Sequence, residues 1–255
     1  MSTHACRSAL AVLAATALLT GCSSLRQTLQ NRPCVLDANA PYDVVAIDPM
    51  RHEIALYWRN PASGEPFARI GSLLAYLESQ GDSVIAITNA GIFEKNLTPA
   101  GLYIERSLTL NPINLADGYG NFYLKPNGIF YITPHGAAII DASQFSTQEG
   151  SATFAIQSGP LLLSDGRVHP AFMRGSINCR LRSGIGVAPE GRIFVAISNG
   201  AVNFHDFAMY FRENLGVQNA LYLDGAISTL YAPPLGRTRQ SGKRYGAFLV
   251  VRPKR

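Results

Sequence analysis

The chain is poor in cysteine, methionine and tryptophan, with four, four and one in 255 residues. It has no Cys-x-x-Cys or His-x-x-x-His spacing, so the common zinc-ligand patterns are missing. Charged residues make up only 15% of the sequence, too few for a self-repelling disordered chain. No apolar run reaches the roughly 20 residues that cross a bilayer as a helix. The formal net charge of +5 is modest, and no basic stretch is interleaved with aromatics, so nucleic acid is not an expected partner. The segment from Gly236 to Lys243 falls short of a phosphate-binding loop. Its spacing is one residue too long, and Arg244 stands where Ser or Thr is required.

What is present begins at the N-terminus. An apolar run from Ala9 to Leu19 follows Arg7 and ends in Leu19-Thr20-Gly21-Cys22. This reads as a signal peptide closed by a lipoprotein cleavage box, with Cys22 as the lipidated residue. The expected organisation is a signal peptide over 1–21, a polar tether over 22–39 and one domain over 40–255. The expected location is the bacterial cell envelope, with the membrane engaged through the lipid on Cys22. Cys6 leaves with the signal and Cys22 carries lipid, so Cys34 and Cys179 remain. In an oxidising compartment two such cysteines read as a disulfide. A loop of that length stabilises by roughly 3–5 kcal/mol in the chain-entropy model.

The domain reads as α+β: strand-rich, with a mixed sheet and a few packed helices. Tyr42–Asp48 and Glu53–Trp58 are apolar-rich runs around a turn at Asp48-Pro49-Met50-Arg51. Ser72–Gln80 has helical spacing, with Gly81 as its stop. Asn203–Leu215 is the clearest helix. Phe204, Phe207, Ala208, Phe211 and Leu215 form one stripe, Asn203 is the N-cap and Gly216 the end. Asp206, three residues after the cap, reads as structural.

Three apolar runs stop alike: Val84–Thr88 at Asn89-Ala90-Gly91, Ile193–Ser198 at Asn199-Gly200 and Ala220–Leu223 at Asp224-Gly225. Singly, each is turn chemistry. Together with Gln157-Ser158-Gly159-Pro160 they predict one crevice, provided the strands share a sheet edge. Glycine there allows backbone to approach a ligand closely.

An ordered set of motifs runs through these points: Asn89-Ala90-Gly91-Ile92-Phe93, Gly101-Leu102-Tyr103-Ile104-Glu105, Gly120 to Phe130, Gln157 to Leu162, His169-Pro170, Arg182-Ser183-Gly184-Ile185-Gly186-Val187 and Leu221 to Ser228. The set resembles the phosphodiester glycosidase family over about Tyr42 to Val251. Ala226 departs from the Asp-Gly-Gly that many members carry. The resemblance implies a hydrolase that cleaves a sugar C1–O–P linkage, here on a sugar-phosphate or envelope glycan. The alternative is a non-catalytic envelope lipoprotein that binds glycan or a partner protein.

Such cleavage passes through an oxocarbenium-like state and needs a carboxylate to activate water or attack C1. Asp224 and Glu105 are the candidate pair. Arg182 suits the phosphate, because guanidinium is planar, always charged and bidentate. Lys125 and His169 are further phosphate candidates, and Asn89, Gln157, Asn199 and Ser228 are expected around the substrate. Each has a plainer reading: a surface ion pair for Arg182, a turn cap for Asp224, an exposed strand residue facing Arg106 for Glu105 and a loop residue for His169. No cofactor is expected, and the sequence leaves a metal requirement open.

Overall fold

The computed structural model describes residues 42–145 and 151–254. The signal peptide, the tether, Cys22 and Cys34 lie outside the described residues. Among the described residues no helix is long and apolar enough to cross a membrane.

The strands form three sheets. The first runs in the order β1 (Tyr42–Ile47), β12 (Ile193–Ser198), β11 (Ser183–Val187), β13 (Asn219–Asp224), β9 (Leu161–Ser164), β10 (Arg167–Val168). The second is β14 (Leu230–Tyr231), β3 (Ala86–Asn89), β15 (Phe248–Pro253), β2 (His52–Tyr57). The third is β5 (Leu108–Asn111), β4 (Tyr103–Glu105), β8 (Phe154–Ser158), β6 (Gly128–Thr133), β7 (Gly136–Asp141). The chain is therefore strand-rich, as expected, but the expected mixed sheet is corrected. All the pairings among the described strands are antiparallel.

The apolar runs of these strands have a physical cause. Near-continuous apolar runs are typical of parallel strands, because both faces of those strands are covered. Here the first sheet is antiparallel yet also covered twice. On β12, Ile193, Val195 and Ile197 enter a core shared with the other sheets, while Phe194 and Ala196 enter a second core. On β13, Leu221 and Leu223 face the first core, and Ala220 and Tyr222 the second.

Helices α1 (Ile70–Ser79) and α2 (Phe204–Glu213) complete the domain. Helix α1 begins two residues before the expected Ser72. Its cap residue Arg69 makes no side-chain cap hydrogen bond, so the sequence carries no start signal there. Helix α2 matches its pattern. Asn203 Oδ1 accepts from the Asp206 amide at 2.8 Å, and Phe207, Ala208 and Phe211 are buried. Phe207 and Phe211 lie over β11, where Gly184 and Gly186 leave room. A Cβ on Gly186 would come within 2.8 Å of Phe211 Cδ1.

At the end of the third sheet, β5 is exposed, with Leu108 and Leu110 at 65% and 45% of full accessibility.

Candidate active site

β12 and β13 both run antiparallel to β11, so their C-terminal ends lie at the same edge of the first sheet. The register of β13 on β11 shifts between Ser183 and Gly184, setting Ser183 opposite Asp224 and Gly184 opposite Tyr222. A bulge of this kind re-aims the side chains at a strand end.

β3 belongs to another sheet, but its last residue reaches this edge. Asn89 Nδ2 donates to Ser183 Oγ at 3.2 Å, and Asn89 Oδ1 accepts from the Thr229 amide at 3.0 Å. Ser228 Oγ stands 3.0 Å from Ser183 Oγ and donates to the Asp224 carbonyl at 2.9 Å. Ser158, at the end of β8, donates through Oγ to the Leu223 carbonyl at 3.4 Å. Strand ends from all three sheets thus meet under the turn that follows Asp224.

Asp224 itself is half-buried. Burial pushes its carboxyl up to about 6, against the pull of the Gly225 amide and the charge of Lys243. The Gly225 amide donates to Asp224 Oδ1 at 2.6 Å. Lys243, which is exposed, donates through Nζ to the Ala226 carbonyl at 3.0 Å. The site therefore presents one carboxylate raised to about 6 with an ammonium beside it. Such an arrangement suits acid–base or nucleophilic work on an anionic substrate.

The other expected residues fall in different places. Ser228 bonds the Asp224 carbonyl, and Asn89 is linked to Asp224 through Ser183, which lies opposite it. Asn199 is at the same sheet edge but exposed, and its Oδ1 accepts from Arg237 at 2.9 Å. Arg182 lies behind the site. The residue is 1% exposed, and its guanidinium donates to the carbonyls of Val202 at 2.8 Å and Asn178 at 2.9 Å and stacks 3.5 Å over Phe204. That is neither the surface ion pair nor an open phosphate fork.

His169 continues the same stack, ring to ring with Phe172, which stacks on Phe204. Burial holds its pKa below the usual histidine range, with the nearby Lys125 carbonyl pulling the other way. Lys125 Nζ is engaged with Asp117 at 2.6 Å and the Leu115 carbonyl at 2.9 Å.

Glu105 and Gln157 do not join Asp224. Glu105 is at the far end of β4, opposite Phe154, whereas Ser158 marks the contact with β13. Phe154 and Ser158 are the two ends of β8, so Glu105 sits roughly 13 Å from that junction at ~3.3 Å per residue. Paired glycosidase carboxylates are about 5–9.5 Å apart. Glu105 instead accepts from Tyr103 Oη at 2.9 Å, the Trp58 amide at 3.3 Å and Arg106 at 3.1 Å. Burial raises its pKa, with those donors opposing. Gln157 is spent on backbone: its Oε1 accepts from the amides of Leu102 and Asn114, each at 2.9 Å, and its Nε2 donates to the Asn114 carbonyl at 2.6 Å.

Sequence reading passed over Lys243, Thr229 and Tyr222. Lys243 carried no signal beyond its charge in the failed phosphate-loop motif. Ser183 was visible only as part of its motif.

A family model described as phosphodiester glycosidase matches residues 82–250. The Escherichia coli protein YigE, itself uncharacterized, is 35% identical over 199 residues, spanning 78% of this chain and 77% of the relative. The chain belongs to the phosphodiester glycosidase family. Two solved structures share the family fold. The zebrafish N-acetylglucosamine-1-phosphodiester alpha-N-acetylglucosaminidase catalytic domain, auto-inhibited by its pro-peptide, aligns with a TM-score of 0.54 at 13% identity, covering 88% of this chain and 87% of that one. A hypothetical protein from Synechocystis gives 0.54 at 16% identity, covering 88% of this chain and 61% of that one. At these identities the likeness is one of fold.

Proposed function

We propose that the chain is an envelope-tethered hydrolase that cleaves a sugar-1-phosphodiester at the C1–O bond. The observation that carries this reading is Asp224: one half-buried carboxylate, raised to about 6, with Lys243 beside it, at the meeting point of three sheets. Family membership supplies the reaction class.

In this reading Asp224 takes a proton from water as it attacks C1. The C1–O bond breaks, and its electrons leave on the phosphate oxygen. The products are a free sugar and a phosphomonoester. A phosphate leaving group needs little protonation, so a second carboxylic acid is not required, which agrees with the remote position of Glu105. Lys243 neutralises charge on the departing phosphate. Asn89, Ser183 and Ser228 hold the turn that aims Asp224.

The test is hydrolysis of a nucleotide-sugar and of an N-acetylglucosamine-1-phosphodiester in water enriched in oxygen-18. Label in the sugar hydroxyl, lost with Asp224→Asn in a folded protein, supports the reading. Label in the phosphate identifies a phosphodiesterase instead. The remoteness of Glu105 equally suits a lipoprotein that binds envelope glycan without turnover. Binding to such glycans with no product across a phosphodiester panel would favour that reading.

A further inference from the structure

Tyr222 stands two residues before Asp224 and is among the largest fully buried side chains. Its hydroxyl oxygen is buried and makes no hydrogen bond of good geometry, although the side chains of Arg182 and Asn121 stand close enough to act on it. A buried hydroxyl so poorly paired is costly to keep, so its position calls for an explanation.

Its contact shows the use. A Cβ on Gly225 would lie 2.5 Å from Tyr222 Oη, and the next atoms, Leu181 O and Tyr222 Cζ, would both be 3.8 Å away. The Gly225 φ is not in the left-handed region, so the backbone conformation does not demand glycine there. The tyrosine oxygen does. Gly225 is also the residue whose amide donates at 2.6 Å to Asp224 Oδ1.

Burial keeps the Tyr222 phenol protonated, and the charge on Asp224 pushes the same way. Arg182, 5.7 Å from the Tyr222 ring centre, and Asn121 pull against them. Lys243, from the loop after β14, is the cation acting on Asp224.

We propose that Tyr222 is a positioning residue for Asp224, acting through Gly225. Its hydroxyl is a stop that keeps the Gly225 amide against the carboxylate. The proposal rests on Asp224 being the reactive carboxylate, but its test does not depend on turnover.

The carboxyl of Asp224 is followed by carbon-13 NMR against pH in the wild type, Tyr222→Phe, Gly225→Ala and the double variant, with Asp224→Asn to assign the signal. In Tyr222→Phe the amide relaxes away, and the Asp224 midpoint rises by about half a pH unit or more. Thermal stability changes little, because the hydroxyl removed was poorly paired. Gly225→Ala destabilises the wild-type background, and Tyr222→Phe rescues it by opening the 2.5 Å clash to 3.8 Å. With substrate, Tyr222→Phe lowers kcat about tenfold at little-changed KM, and the acid limb of the pH profile moves with the NMR midpoint. An unchanged Asp224 midpoint in Tyr222→Phe overturns the proposal. So does a Gly225→Ala defect of equal size in both backgrounds. If Asp224→Asn retains full turnover, the catalytic reading falls while the titration still decides the link between Tyr222 and Asp224.

Discussion

Asn89 and Ser183 join two sheets through one amide–hydroxyl contact of 3.2 Å. The same Asn89 side chain accepts the Thr229 amide at 3.0 Å. Its atoms are fully buried, so no water replaces them. Asn89→Ala strands the Thr229 amide and leaves the Ser183 hydroxyl with Ser228 alone, and the expected loss is on the order of 1–3 kcal/mol by urea denaturation. A loss below about 0.5 kcal/mol would show that the sheets are joined without it.

Asp224 should trade stability for readiness to react. Its carboxyl titrates near 6 in the folded protein, against roughly 3.9 in an unfolded chain. The folded state holds the extra proton between these values. The stability it contributes is therefore full below roughly pH 4 and lost as pH rises through about 6. Asp224→Asn should exceed the wild type by on the order of 2 kcal/mol near pH 7.5, and the gap should close near pH 3.5. A gap independent of pH would refute the assignment of the raised carboxyl to Asp224.

Lys243 is expected to act on both protonation and affinity. Lys243→Gln removes the charge that lowers the Asp224 pKa, so the acid limb of activity moves to higher pH. The KM for a phosphodiester should rise and lose part of its dependence on salt. An unchanged KM at low ionic strength would remove Lys243 from substrate binding.

Arg182 is held by backbone carbonyls and Phe204, which sets a structural expectation. Arg182→Lys keeps the charge but loses the planar stack and one of the two donor directions. A stability loss on the order of 2–4 kcal/mol should follow. A near-native melting temperature with at least tenfold lower turnover would instead return Arg182 to the phosphate.

The bridge between Cys34 and Cys179 remains an expectation with a direct check. Protein made in the periplasm should resist alkylation at both cysteines until reductant is added. Ready labelling without reductant rules the bridge out.

Local signals were the legible part of this chain. Helix α2 could be read because its cap, stripe and terminal glycine lie within one stretch of sequence. The polar strand ends could be read because each apolar run stops at a polar residue followed closely by glycine. Their convergence was half-visible. Asn89 and Asp224 do meet, though from different sheets, and through Ser183. The failures concern register and long-range satisfaction. Nothing local to Glu105 reveals that it pairs with Phe154 at the far end of β8. Nothing local to Gln157 reveals that its amide is consumed by Leu102 and Asn114. Arg182 resembled an anion ligand by residue type, and only the packing of Phe204 shows its guanidinium covered.

The outer strand β5 sets a limit of a different kind. A sheet margin whose backbone donors and acceptors face outward accepts a further strand from any chain that offers one, and uncovered leucines make that addition more favourable. Concentrated protein should therefore be able to self-associate there, independently of anything at Asp224. Leu108→Lys should postpone that association and leave catalysis and melting unchanged, so the storage behaviour of the protein and its chemistry are governed by separate regions of the fold.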